Sequence, residues 1–475
     1  MTSLAQLLPI DWILACVALL LAVGGVGVVR PHNLFLVARV LFPLGAALSL
    51  LIAMAALTAL FSVPQIAILP LGLPGLPFHL RLDPLSAFFL FLFGGTTAGI
   101  SIFAAGYFRK GEGTPPGLLC LQYHVFVASM ALIMLADDAY VFMVMWELMA
   151  LSSFFLVTAN HTIPEIRRAG YLYLLIAHIG ALAILLCFGV LQANTGDYTF
   201  ANMRAQELTP FWASIAFVLA LFGFGAKAGI VPLHIWLPEA HPAAPSPVSA
   251  LMSGVMLKTA IYGLLRIGFE VLQLQLAWWG VLALILGLVT ALFGVVFSAI
   301  QSDMKRLLAY SSTENIGLLL IGIGLALLFV SYGTSALAAL ALTAVLYHAL
   351  NHAFFKSLLF LSTGAVLHAT GERNLGKLGG LLRYMPWVGW LALTGALAAA
   401  GLPPLNGFVS EWLLLQSFLF TLGLPSTFVN MLLPVVAAGV ALVAALGAYV
   451  MVKFFGVIFL GQPREPNLAG ARDAA

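Results

Sequence analysis

Four of the seven lysines in this 475-residue chain, Lys227, Lys258, Lys356 and Lys453, fall inside long apolar runs. Glu147 and Glu411 lie similarly deep, and Glu314 sits about two turns into another such run. An ionised group at a bilayer centre costs about 2.5–3.5 kcal/mol on insertion scales, so a set of them is not ornament. All four deep cations are lysine, although arginine outnumbers lysine 13 to 7 in the chain. Lysine can shed a proton when buried and arginine effectively cannot, which favours proton transfer over a fixed counter-charge. Lys453 lies near the end of its run and reads as a snorkelling residue instead.

His348, His352 and Lys356 are spaced i, i+4, i+8 and form one stripe along one helix, a pattern that suits a hydrated proton line. An i, i+4 histidine pair can bind metal, but there is no H-E-x-x-H motif and no third ligand, so no metal site is expected. His178 and His234 are further candidates of the same kind. A pair such as Glu147 with Lys227 would have coupled titrations.

The elements that must hold these residues follow from composition. Apolar residues make up 62% of the chain and charged ones 8%, against about 25% charged in a soluble domain. That excludes soluble globular, fibrous and disordered classes and predicts an all-α polytopic membrane protein. The apolar runs place 13 spans near 12–29, 34–61, 84–106, 117–136, 139–159, 169–192, 211–231, 245–269, 276–300, 307–330, 335–369, 386–421 and 430–460. Odd-numbered loops hold ten cations (Arg30, Arg109, Lys110, Arg167, Arg168, Lys305, Arg306, Arg373, Lys377 and Arg383). Even-numbered loops hold only Arg81, Arg204 and Arg266. The positive-inside rule therefore puts the odd loops and the tail with Arg464 in the cytoplasm and the N-terminus outside. The opening MTSLAQLLPID lacks a positive n-region and reads as leading into an uncleaved first span.

A net charge of +3, with no basic run longer than two residues, argues against nucleic acid as a partner. Cys16, Cys120 and Cys187 are scattered, and neither C-x-x-C nor a strand-borne G-x-G-x-x-G occurs. No cofactor is expected on this chain, so any redox chemistry coupled to it sits on other subunits.

Two spans carry prolines beside charge. Pro232 lies in GAKAGIVPLHIWLPEAHPAAPSP (225–247), and Pro403 and Pro404 lie in GALAAAGLPPLNGFVSEW (395–412). Unwound backbone at membrane depth is tolerated where it is buried in protein or lines a water-filled cavity. Pro232 and Pro404 are 172 residues apart in the seventh and twelfth spans, so the broken helices should point in opposite directions. The expected organisation is three N-terminal helices (1–116), two inverted five-helix repeats (117–270 and 271–460) and a cytoplasmic tail (461–475).

Five stretches carry a family resemblance: WELMALSSFFLV (146–157), 225–266, KRLLAYSSTENIG (305–317), HALNHAFFKSLLFLSTGAV (348–366) and LPPLNGFVSEW (402–412). Together they resemble the antiporter-like family shared by respiratory complex I, Mrp cation/proton antiporters and membrane-bound hydrogenases, over about residues 80–460. WELMALSS and YSSTENIG resemble the hydrogenase 4/formate hydrogenlyase branch of that family. The resemblance implies that Glu147 is the fifth-helix glutamate paired with the seventh-helix Lys227, that Lys258 is the eighth-helix relay lysine, and that Glu411 is the twelfth-helix terminal site. Relatives usually carry a fourteenth core helix, which this sequence does not show, nor does it show a long amphipathic lateral helix.

The expected function is a proton-translocating subunit of a redox-driven complex in a bacterial-type inner membrane, with iron–sulfur, hydrogenase or quinone-reductase subunits as partners. Protons would reach Lys227 and Lys258, cross by His348, His352 and Lys356, and leave by Glu411, with Glu314 and His234 as further candidates. The alternative is an Mrp-type cation/proton antiporter or an ion-coupled uptake subunit without electron transfer.

Overall fold

The computed structural model describes residues 7–108, 113–193, 195–419, 421 and 424–473, so the loop cations Arg109 and Lys110 lie outside the described residues. The protein is helical throughout its apolar runs. Helices α1 (Pro9–Val29), α2 (Leu34–Ala59), α3 (Pro84–Tyr107), α4 (Pro116–Leu135), α5 (Ala139–Val157) and α6 (Pro164–Leu191) are each long and apolar enough to cross a membrane. The same holds for α8 (Ser246–Val271), α9 (Ala277–Ile300), α10 (Met304–Ser331) and α11 (Ser335–Thr370), and for the last span, Thr427–Phe459. The seventh segment, Pro210–Ala243, is also long enough but is interrupted, with α7 ending at Ala228. These are the twelve such segments among the described residues.

The span expected over 386–421 is realised as two shorter helices, α12 (Pro386–Ala399) and α13 (Asn406–Leu419), followed by α14 (Thr427–Phe459). Both interruptions turn on a glycine with positive φ just after the helix end, Gly229 at +81° and Gly401 at +61°. An L side chain is disfavoured there, so glycine lets the chain leave the helix without strain.

The boundaries follow local chemistry. Six helices begin on proline (Pro9, Pro84, Pro116, Pro164, Pro210 and Pro386), whose missing N–H costs nothing in the first turn. Asp83, Asp138 and Asp303 cap α3, α5 and α10 by accepting from the amides of Ser86 (2.9 Å), Val141 (2.6 Å) and Lys305 (2.9 Å).

One element departs from the sequence expectation. Residues 62–83, left between the second and third expected spans, form an antiparallel hairpin of β1 (Gln65–Leu73) and β2 (Leu76–Leu82). Its register pairs Gln65 with Leu82 and shifts between Leu69 and Gly72. The prolines Pro70, Pro74 and Pro77 hide the strand alternation in the sequence.

The chain divides into two compact units. The first comprises Met1–Lys227 with Ala243–Gln273, and the second Ala228–Pro242 with Leu274–Ala475. In the first, α2 packs on α3, α1 on α4, and α5 between α4 and α6. In the second, α10 packs against α9 and α11, α13 against α11, and α14 against α9. The α9–α10 contact is built on glycines. Gly280, Gly287 and Gly294 of α9 recur every seven residues and meet the backbone of α10, where Gly317 and Gly324 answer them. Small residues permit backbone-to-backbone approach between membrane helices.

Candidate functional site

Lys227, in the last turn of α7, is 2% exposed. Its ammonium donates to the hydroxyl of Tyr173 on α6 at 2.7 Å, and the Tyr173 hydroxyl lies 2.5 Å from that of Ser153 on α5. The ring of Tyr173, with its centroid 4.8 Å from Nζ, adds a cation–π face. Glu147 does not pair directly with Lys227: no carboxylate of a described residue lies within 4 Å of Nζ, although the Glu147 charge acts on the lysine through space. The Glu147 side chain is 36% exposed and stands 3.7 Å from Nδ1 of His178 in a groove of about 600 Å³ walled by Val144, Leu151, Leu182 and Leu185. The expected deep burial of Glu147 thus gives way to an outward position on α5.

Lys258 is fully buried on α8, and its Nζ donates to the carbonyl of Ser253 at 2.7 Å. The helix widens to π geometry over Met252–Met256, where the Leu257 amide bonds back to Met252. Such π-turns shift carbonyls out of the regular ladder and recur at functional positions.

The far end of α8 holds a network that sequence reasoning missed. Arg266 grips Asp83 with both terminal nitrogens (2.5 and 3.0 Å), reaches Tyr262 and Ser86, and pairs with Glu270. Glu270 also pairs with Arg204 and with Arg81 (2.5 Å), and Arg81 pairs with Asp137 (2.8 Å). The three cations counted in the even-numbered loops are therefore matched by three carboxylates. Burial favours a higher Asp83 pKa, but the hydrogen bonds and charge of Arg266 prevail and hold it at about 2. Burial pushes the Asp137 carboxyl up despite Arg81. Asp83 and Asp137 come from separate loops far in sequence from Arg266, so local spacing marked only the i, i+4 pair of Arg266 and Glu270.

In the second unit, α11 carries His348, His352 and Lys356, which are 5%, 0% and 0% exposed. His348 bridges two helices: Nε2 lies 3.1 Å from Oδ1 of Asn315 on α10, and Nδ1 lies 3.0 Å from the Ser410 hydroxyl on α13. Both ring nitrogens are engaged, so this ring is not offered as a metal ligand. The His352 ring centre is 6.3 Å from that of His348. Nζ of Lys356 contacts the Leu308 carbonyl at 3.4 Å and interacts electrostatically with Glu314. Glu314 accepts from the Ser311 hydroxyl at 3.1 Å and faces Gly447 of α14, where any side chain would crowd its carboxylate. Glu411, the residue after Ser410, lies against Gly401 in the second break and senses the Glu314 charge. Asn351 and Asn406 exchange hydrogen bonds (2.8 and 3.0 Å) that tie α11 to the start of α13. Ser311 and Asn315 lie inside YSSTENIG and Ser410 inside LPPLNGFVSEW, but only the packing of α10, α11 and α13 shows which of them reach Glu314 and His348.

The remaining candidates take other roles. His234, on the segment after the first break, sets its ring edge-on to Phe293 with centroids 4.6 Å apart. Thr290 accepts the Val231 amide of that break at 3.2 Å. Lys453 does not snorkel: its Nζ donates at 2.7 Å to the carbonyls of both Ala299 and Gln301, capping the C-terminus of α9.

Two interrupted helices and buried lysines in a polytopic α-helical chain define an antiporter-like membrane subunit. Residues 136–437 match the NADH:quinone oxidoreductase/Mrp antiporter transmembrane family, and the chain belongs to that family. It is similar to hydrogenase-4 component B of Escherichia coli (strain K12), 40% identical over 396 residues, which cover 83% of this chain and 59% of that protein. It is also similar to formate hydrogenlyase subunit 3 of the same organism, 37% identical over 397 residues, covering 83% and 63%. The chain thus spans about three fifths of the length of these relatives. Among solved structures, the Mrp complex from Dietzia sp. DQ12-45-1b superposes with a TM-score of 0.80 at 29% identity, covering 95% of this chain and 47% of that one.

Proposed function

We propose that this chain is a proton-translocating membrane subunit of a redox-driven complex of the hydrogenase or quinone-reductase type. One observation carries the reading: Lys227 and Lys356 are at most 2% exposed at membrane depth, and their ammonium groups rest on uncharged oxygens of Tyr173 and Leu308. A lysine kept as a permanent counter-charge would hold a carboxylate at hydrogen-bond distance.

In this reading Lys227 and Lys258 act before His348, His352 and Lys356, with Glu411 as the last carrier. Tyr173 and Glu147 are alternative partners for one ammonium, and moving it from one to the other changes its proton affinity. The two interrupted helices belong to inverted repeats, and the ten-to-three loop bias supports cytoplasmic odd loops and an N-terminus outside.

Lys227→Ala in the assembled complex, followed by acidification of inverted membrane vesicles, tests this. Pumping should be lost while assembly is retained; persisting proton movement overturns the relay. A second reading, cation/proton exchange without electron transfer, is favoured by the likeness to the Mrp complex. Iron- and nickel-bearing subunits that copurify with the chain support the first reading, and metal-free membrane partners the second.

A further inference from the structure

A groove of about 510 Å³ opens between α4, α5 and α6 at their odd-numbered-loop end. Its polarity changes with depth. Arg167, in the first turn of α6, stands at the rim with His161. The apolar walls are Leu118, Phe155 and Leu174, and Leu174 is ten residues into α6, about 15 Å down the helix axis.

Two polar groups in this groove have hydrogen-bonding capacity that the protein does not use. The Arg167 guanidinium is fixed by Nη1, which donates to the carbonyls of His161 (2.6 Å) and Thr162 (3.1 Å). Its Nε and Nη2 have no partner among the described residues. Gln122, six residues into α4, makes no hydrogen bond to a described residue, so its Nε2–H donors have no partner among them. An amide N–H left unmatched at that depth suits an acceptor on a ligand.

We propose that this groove binds one anionic diacyl phospholipid. Its phosphate sits on the free edge of Arg167, an ester carbonyl accepts from the Gln122 amide, and an acyl chain runs past Leu118 and Phe155 to Leu174. The descent from cation to amide to Leu174 is the order of phosphate, ester and chain in such a lipid. The planar guanidinium, held from behind by two carbonyls, is oriented for two-point contact with phosphate oxygens. The site lies at the end of the helices where cations concentrate, the side on which membranes carry anionic lipid.

Native mass spectrometry of the full chain, released from phosphatidylglycerol or phosphatidylcholine nanodiscs, tests the proposal. Wild type should retain one phosphatidylglycerol about tenfold better than Arg167→Gln, as expected for loss of a charge-assisted contact. Arg168→Gln, which changes the same net charge on the next residue, should match wild type. Leu174→Trp, which fills the apolar wall and leaves every charge in place, should also lose the lipid, and it carries the test where Arg167→Gln fails to fold. Equal retention by Arg167→Gln and Arg168→Gln, or undiminished retention by Leu174→Trp, overturns the site. Equal retention of phosphatidylcholine overturns the charge selectivity. Displacement of the lipid by millimolar inorganic phosphate alone shows a bare anion site and overturns the lipid assignment.

Discussion

Lys453 and Lys227 are both lysines within apolar helices, and they rest on different partners, two helix-end carbonyls for one and a tyrosine hydroxyl for the other. Replacing Lys453 with methionine keeps the length of the side chain and removes two charge-assisted hydrogen bonds, each 2.7 Å long, to the last carbonyls of α9. Such bonds are worth about 1.5–3 kcal/mol each, and the favourable charge at a helix C-terminus adds roughly 0.3–1 kcal/mol. The site is partly exposed, so one carbonyl can recover a water, and the net loss should be about 2–4 kcal/mol. Unfolding entropy of roughly 2 cal/mol/K per residue amounts to about 1 kcal/mol/K for a chain of this length, so the melting temperature should fall by about 2–4 °C. Thermal melts of the detergent-purified protein, and vesicle acidification normalised to assembled complex, measure the two effects separately. Lys453→Met should lower the melting temperature and leave transport within about twofold of wild type, whereas Lys227→Ala should do the reverse. An unchanged melting temperature with transport lost would refute the capping role.

Two further outcomes follow from the first unit. Asp83 has its pKa held near 2 against a reference of 3.8, so its contribution is fully present above about pH 4 and is lost as pH falls from 4 towards 2. It amounts to about 2 kcal/mol, and melts of wild type and Asp83→Asn should differ at pH 7 and converge only as pH falls to about 2 and below; a difference constant with pH would contradict the Arg266 pairing. Tyr173→Phe removes the hydroxyl that receives the Lys227 ammonium and should slow transport about tenfold with assembly intact, as measured by initial acidification rate; a wild-type rate would show that this hydrogen bond does not matter.

The spans were legible because a bilayer demands about 20 consecutive apolar residues, and proline at N1 and aspartate at the N-cap mark where many of them begin. The two interruptions were legible through Pro232 and Pro404. What stayed hidden was tertiary. Tyr173 and Ser153 lie 20 residues apart on different helices, and nothing in either neighbourhood ties them to Lys227. The positive-inside count treated Arg81, Arg204 and Arg266 as independent loop charges, although Asp83, Asp137 and Glu270 bind them into one neutral cluster. Glu147 was placed by depth along its helix, which says nothing about direction, and its outward turn towards His178 depends on how α5 packs. The hairpin escaped because its prolines mask period-two alternation.

The seven-residue glycine series on α9 has an evolutionary corollary. Gly294 meets the backbone at Glu314, so the carboxylate's height in the membrane is fixed by a position that can never carry a functional group. Any methyl there would force the two helices apart and displace the acid from its neighbours. Across relatives, such positions should be as invariant as the ionisable residues themselves, and a ranking by invariance alone would score them as chemistry. Here invariance would measure the tolerance of a joint, and the two kinds of constraint separate only when substitutions are scored for helix spacing as well as for transport.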